Sequence, residues 1–131
     1  MAPDIASGEY VLIDTVSYRL GVPERGDIVA FRHERSAPSV YLKRIIGLPG
    51  DRVAIVHGAV YVNGSRLAEP YVHYPDARSF GEVTVPKGSL YVLGDNRANS
   101  DDSRFWGFVD EPTVIGKAIA GIWPLARMGT L

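Results

Sequence analysis

Two stretches of the chain hold side chains whose types and spacing suit chemistry. In "VYLKRIIGL", residues 40–48, strand alternation puts Tyr41, Lys43 and Ile45 on one face, with Leu42, Arg44 and Ile46 on the other. Lys43 thus stands between an aromatic and a β-branched neighbour. A free lysine is less than about 0.1% neutral at pH 7. Burial disfavours the ammonium and turns the amine into a usable general base. The plainer reading is an edge-strand lysine that reaches water and blocks aggregation. In "GDNRANSDDSRFWG", residues 94–107, Asp95, Arg97, Ser100, Asp101, Asp102 and Arg104 crowd between Gly94 and an aromatic pair. If that backbone is extended, Asp102 and Arg104 share a face and can form a bidentate pair. The plainer reading is a surface turn, since Asp, Asn, Ser and Gly cap turns through side-chain to backbone hydrogen bonds.

Strands must position these groups. "EYVLIDTVSYRL" (9–20), "DIVAFRH" (27–33), "VYLKRIIGL", "DRVAIVHGAVYVNG" (51–64), "EVTVP" (82–86), "SLYVLG" (89–94) and "VIGKAIAGIWPL" (114–125) are rich in Val, Ile and Tyr, with Gly, Pro, Asn and Asp between them. His57-Gly58 and Asn63-Gly64 read as tight hairpin turns. With 14 Gly and 9 Pro the chain disfavours long helices. A helical turn is expected only within Pro112–Ala120. The reading is all-β: antiparallel sheets, little helix, one domain over residues 1–131.

Composition excludes several functions. The 131 residues are 46% hydrophobic and 22% charged, with 14 basic against 15 acidic residues. Neither a basic excess for nucleic acid nor a charged tail is present. Without cysteine there is no disulfide and no thiolate metal site. His33, His57 and His73 lack ligand spacing, and Arg97 occupies a ligand position of any calcium loop, so no metal and no cofactor are expected. No apolar run approaches the roughly 18 residues that span a bilayer, and the first ten residues do not read as a signal peptide. Arg25-Gly26-Asp27 reads as a turn and Asn63-Gly64-Ser65 as a chance sequon.

The lysine segment "KRIIGLPGD" and the loop "GDNRANSDDSRFWGFV" together resemble the type I signal peptidase family, membrane-anchored serine proteases with a Ser-Lys dyad. "PERGDIVAF", "VYVNGSRLAEPYV", "VPKGSLYVLGDNR" and "IWPLARMGTL" extend the likeness over nearly the whole chain, in the family's compact form. The resemblance implies a signal-peptidase-like catalytic domain that removes signal peptides from secreted preproteins after an Ala-x-Ala site. It makes Lys43 the general base and Ser100 the serine that aims it. Asp102 and Arg104 become a salt-bridged pair stiffening the loop, and Asp95 a partner of Arg44. It assigns substrate pockets to Met1, Ile5, Val11, Ala30, Tyr41 and Leu42. The implied partners are signal peptides and the lipid surface, at the extracytoplasmic face of the bacterial cell membrane.

One family feature has no match. The nucleophile belongs to a Ser-Met-x-Pro-Thr-Leu segment, whose serine would fall one position before Met1 here; Asp4 and Ile5 replace Thr-Leu, and Ser7 lies too late. The expectation is a base without a nucleophile to activate, inactive as written: a fragment, or a silent peptide-binding relative. A conjugation-pilus maturation protease is the remaining alternative.

Overall fold

A computed structural model describes residues 11–14, 23–32, 40–121 and 129–130 (of 11, 12, 14, 119–121, 129 and 130 the backbone only). The β-branched runs become strands: β1 Val11–Asp14, β2 Ile28–Arg32, β3 Val40–Gly47, β4 Arg52–Val56, β5 Ala59–Val62, β6 Ser65–Arg66, β7 Phe80–Thr84, β8 Ser89–Leu93, β9 Val109–Asp110, β10 Val114–Gly121 and β11 Gly129–Thr130. Every named pairing is antiparallel. One sheet runs β1-β10-β2-β3-β8-β9 with β11 on β10, and a smaller one runs β6-β5-β4-β7. Both expected hairpin turns form. His57 and Gly58, then Asn63 and Gly64, take positive φ in pairs, the backbone a two-residue loop needs to match strand twist.

Alternation along β3 and β8 distributes their side chains between two apolar clusters. Ile46, Tyr91 and Leu93 meet Val53, Ile55, Val60 and Val62 of the smaller sheet. Ile45, Leu90 and Val92 instead join Val29, Phe31 and Val109. Because both faces are covered, all five residues of β8 are buried, as are the last four of β3. The lysine strand is therefore held rigidly from Arg44 onward.

The expected position of the helical turn is corrected. Within 112–120 only Pro112 and Thr113 are helical, as part of a 3-10 turn at Glu111–Thr113, and β10 follows at once; its β-branched start pairs with β2 instead. The α-helical turn lies earlier, at Ser103–Trp106 (α1), inside the polar loop. Among the described residues no helix is long and apolar enough to cross a membrane. Residues 9–10, 15–20, His33 and 122–125 of the expected strands, with most of the "IWPLARMGTL" ending, lie outside the described residues.

Candidate functional site

β3 delivers Lys43 to the point where the chain leaves β8. Arg44 pairs with Leu93 across the sheet, so Gly94 passes beside Lys43. The loop then makes a 3-10 turn at Arg97–Asn99 and returns Ser100 to the lysine, whose Nζ donates to Ser100 Oγ at 2.9 Å. Burial holds the Lys43 pKa below its ordinary value. Asp102, Asp101 and Asp95 pull it back up, while Arg104 adds to the depression. Desolvation wins, so the amine is poised toward its neutral, proton-accepting form.

The contact requires glycine at 94. A Cβ there would lie 2.0 Å from Ser100 Oγ and 3.4 Å from Lys43 Nζ. No other residue leaves room for the hydroxyl.

Three arginine–carboxylate arrangements fasten the loop. Arg44 and Asp95, both buried, form a two-pronged pair at 2.9 and 2.7 Å. Asp102, fully buried, accepts from Arg104 Nε at 2.8 Å and Nη2 at 3.0 Å. It also takes the backbone N–H groups of Arg104 and Gly94. Asp102 is the N-cap of α1, so this pair closes across a helical turn and not along an extended strand as the spacing suggested. Ser103 Oγ takes the N–H of Val92, fixing α1 to β8.

The third arrangement was not visible in the sequence. Arg97, buried, donates Nε to the Gly94 carbonyl at 2.8 Å and both terminal nitrogens to Glu69. Arg104 reaches beyond Asp102 to Asp76 at 3.2 Å and to the Ser100 carbonyl at 3.3 Å. The Arg44 guanidinium lies over the Tyr71 ring, 4.1 Å from its centroid. Glu69 and Tyr71 fall in the "VYVNGSRLAEPYV" stretch of the family likeness and Asp76 just beyond it, in an aperiodic run where nothing assigned them a partner. The available signal was arithmetic: Arg44 and Arg104 had carboxylates assigned, and Arg97 had none.

A cleft of about 450 Å³ opens over the lysine, lined by Lys43, Arg78, Ala98, Asn99, Ser100, Asp101 and Phe105. Of the residues assigned to substrate pockets, Tyr41 stacks on Phe31 at 5.9 Å within the cluster of Ile45. Leu42 packs instead with Ile28, Ala118 and Ile13. Ala30 is buried and pairs with Leu42 across the sheet. Val11 pairs with Gly121 through its backbone. Met1 and Ile5, like Ser7, lie outside the described residues.

An antiparallel β frame that presents a half-buried lysine beside a serine hydroxyl fits the class of serine proteases that use a lysine as base. The family model for signal peptidase, peptidase S26, matches residues 1–123. The chain is 44% identical to the probable signal peptidase I-2 of Synechocystis sp., with all of this chain and 62% of that protein aligned. It is 38% identical to signal peptidase I of Leptolyngbya laminosa, covering all of this chain and 68% of that one. The structure of a signal peptidase I from Enterococcus faecalis superposes at a TM-score of 0.66 and 37% identity, over 73% of this chain and 96% of that one. This chain belongs to the signal peptidase, peptidase S26 family. It spans just under two thirds of the Synechocystis relative's length.

Proposed function

We propose that the chain carries the base side of a signal peptidase I site, one that removes signal peptides from secreted preproteins by Ser-Lys peptide hydrolysis. The observation that supports this most directly is the 2.9 Å hydrogen bond from a desolvated Lys43 Nζ to Ser100 Oγ. A neutral amine has one lone pair. Donating an N–H to Ser100 fixes where that pair points, and a serine hydroxyl placed there gives up its proton to it. The resulting alkoxide attacks the scissile carbonyl, and the ammonium returns the proton to the departing amine. An ester remains, which water hydrolyses with Lys43 again as base.

On this reading the nucleophilic serine falls directly ahead of Met1, so turnover is proposed to require a serine there. Small residues at the first and third positions before the cut fit shallow apolar pockets, for which Ala30, Tyr41 and Leu42 are the described candidates. The same reading sets the reaction at the extracytoplasmic face of the bacterial cell membrane, with the lipid surface as a second partner.

A chain with serine ahead of Met1, given a preprotein with an Ala-x-Ala site, should release the mature portion. Lys43→Ala should lower that rate by about 10²–10⁴-fold, and Ser7→Ala should leave it unchanged. Full activity in Lys43→Ala removes the general-base role.

A further inference from the structure

Three arginines fasten the polar loop, and each of them also touches one short segment, residues 69–76, to which the resemblance assigned no role. Residues 69–76 cross from the smaller sheet and lie along the loop, with Ala98 N–H donating to the Tyr74 carbonyl at 3.0 Å. Glu69 holds Arg97, which donates to the carbonyl of Gly94. Asp76 holds Arg104, which donates to the carbonyl of Ser100. Tyr71 lies under Arg44 and donates to Glu69 at 3.1 Å. The two carbonyls so held belong to the residue whose missing side chain admits the serine hydroxyl and to that serine itself. From this geometry we infer that segment 69–76 is a strap that positions the Lys43–Ser100 pair, with Glu69 and Asp76 as its two positioning residues.

The argument is one of rigidity. A carbonyl can pivot about its flanking bonds unless something anchors it. An arginine fork anchors it only if the guanidinium is itself anchored from behind. Asp102 does this for Arg104 from within the loop, but Arg97 has no loop carboxylate; Glu69 provides it. Arg97 and Arg104 are both nearly inaccessible to solvent, so losing an acid partner leaves a buried charge seeking a new one. The loop would shift to satisfy it, and water would enter beside Lys43.

The inference rests on reading Lys43 as the base, and one measurement separates the two. Lys43 of the full chain is titrated by NMR in the wild type and in Glu69→Gln and Asp76→Asn. Among the described residues, the groups bonded or electrostatically coupled to Lys43 are Ser100, Asp102, Asp101, Arg104 and Asp95, and Arg78 lines the same cleft. Neither strap acid is among them, so a purely electrostatic effect would be small and downward, because a negative charge is removed. A positioning role predicts the opposite sign: the Lys43 titration moves up toward that of free lysine in each variant while the fold persists. Folded variants with Lys43 unchanged or shifted down overturn the strap. A wild-type Lys43 that already titrates as a free lysine overturns the general-base reading and the strap with it. Should Asp76→Asn or Glu69→Gln not fold, Asp76→Glu or Glu69→Asp, which keep the charge and displace the carboxylate by one methylene, are read by the same criterion.

Discussion

Gly94 is the residue whose substitution says most at the smallest scale. Its missing Cβ is the space Ser100 Oγ occupies, 2.0 Å from where a methyl would begin. Gly94→Ala therefore pushes the hydroxyl off Lys43 Nζ. Overpacking of this kind costs about 1–3 kcal/mol, and a catalytic group displaced by about 1 Å loses around a hundredfold in rate. Urea denaturation, and a turnover assay on the form with serine ahead of Met1, should show both losses; a Gly94→Ala variant of that form with an undiminished rate would contradict the close packing. Lys43 itself opposes folding in a pH-dependent way. Burial lowers its folded pKa below the ordinary 10.5, so in the interval between the two values the unfolded chain binds the proton more tightly. Stability therefore rises with pH through that interval, and below it the full cost of the buried charge is present. Lys43→Met should melt higher than wild type at neutral pH, with the gap closing as pH approaches 10.5, less about 1 kcal/mol for the lost hydrogen bond to Ser100. Thermal melts across that pH range check it, and a gap that widens with pH would contradict it.

At the scale of elements, the loop 94–107 behaves as one folded unit because Asp102 serves four donors within it, from Gly94 at its start and Arg104 in its helical turn. Asp102→Ala leaves Arg104 and the Gly94 N–H without that acceptor in a closed interior, a loss of about 3–5 kcal/mol. Ser103→Ala, which frees only the Val92 N–H, should cost about 1–3 kcal/mol. A urea series that reverses this order would show the loop is held elsewhere. These pairs were legible in the sequence because both ends lie within one motif or on the strand it meets. The hairpins were legible because Gly follows a residue tolerant of positive φ at each turn. The helix was misplaced for a local reason: a proline at 112 suggests a helix start, yet Val114 onward finds β-partners only the folded sheet supplies. Glu69, Tyr71 and Asp76 could not be found by pattern. Their partners lie 28 residues away for both acids, and only the excursion of the β6–β7 connection from the smaller sheet to the polar loop brings them together.

On the scale of the whole molecule, the smaller sheet is more than support for the larger. Its β4–β5 hairpin is tied to the chain just beyond the strap: the Gly58 N–H donates to the Arg78 carbonyl at 3.0 Å, and the His57 N–H to Ser79 Oγ at 2.9 Å. A Cβ on Gly58 would stand 1.8 Å from the carbonyl oxygen of Asp76, which is backbone and cannot swing aside. Gly58→Ala must therefore move the strap where Asp76 grips Arg104, and the disturbance should pass through Ser100 to Lys43 although residue 58 belongs to the other sheet. Gly64→Ala is the matched control. Both glycines have a φ of 84°, so alanine meets the same backbone strain, on the order of 1–3 kcal/mol, but nothing lies within 4 Å of a Cβ at Gly64. Both variants should lose stability, Gly58→Ala the more. Only Gly58→Ala should shift the Lys43 titration toward that of free lysine and, in the form with serine ahead of Met1, slow turnover. Equal effects of the two substitutions on Lys43 would mean that the hairpin contributes stability alone, and that the site is set within the larger sheet.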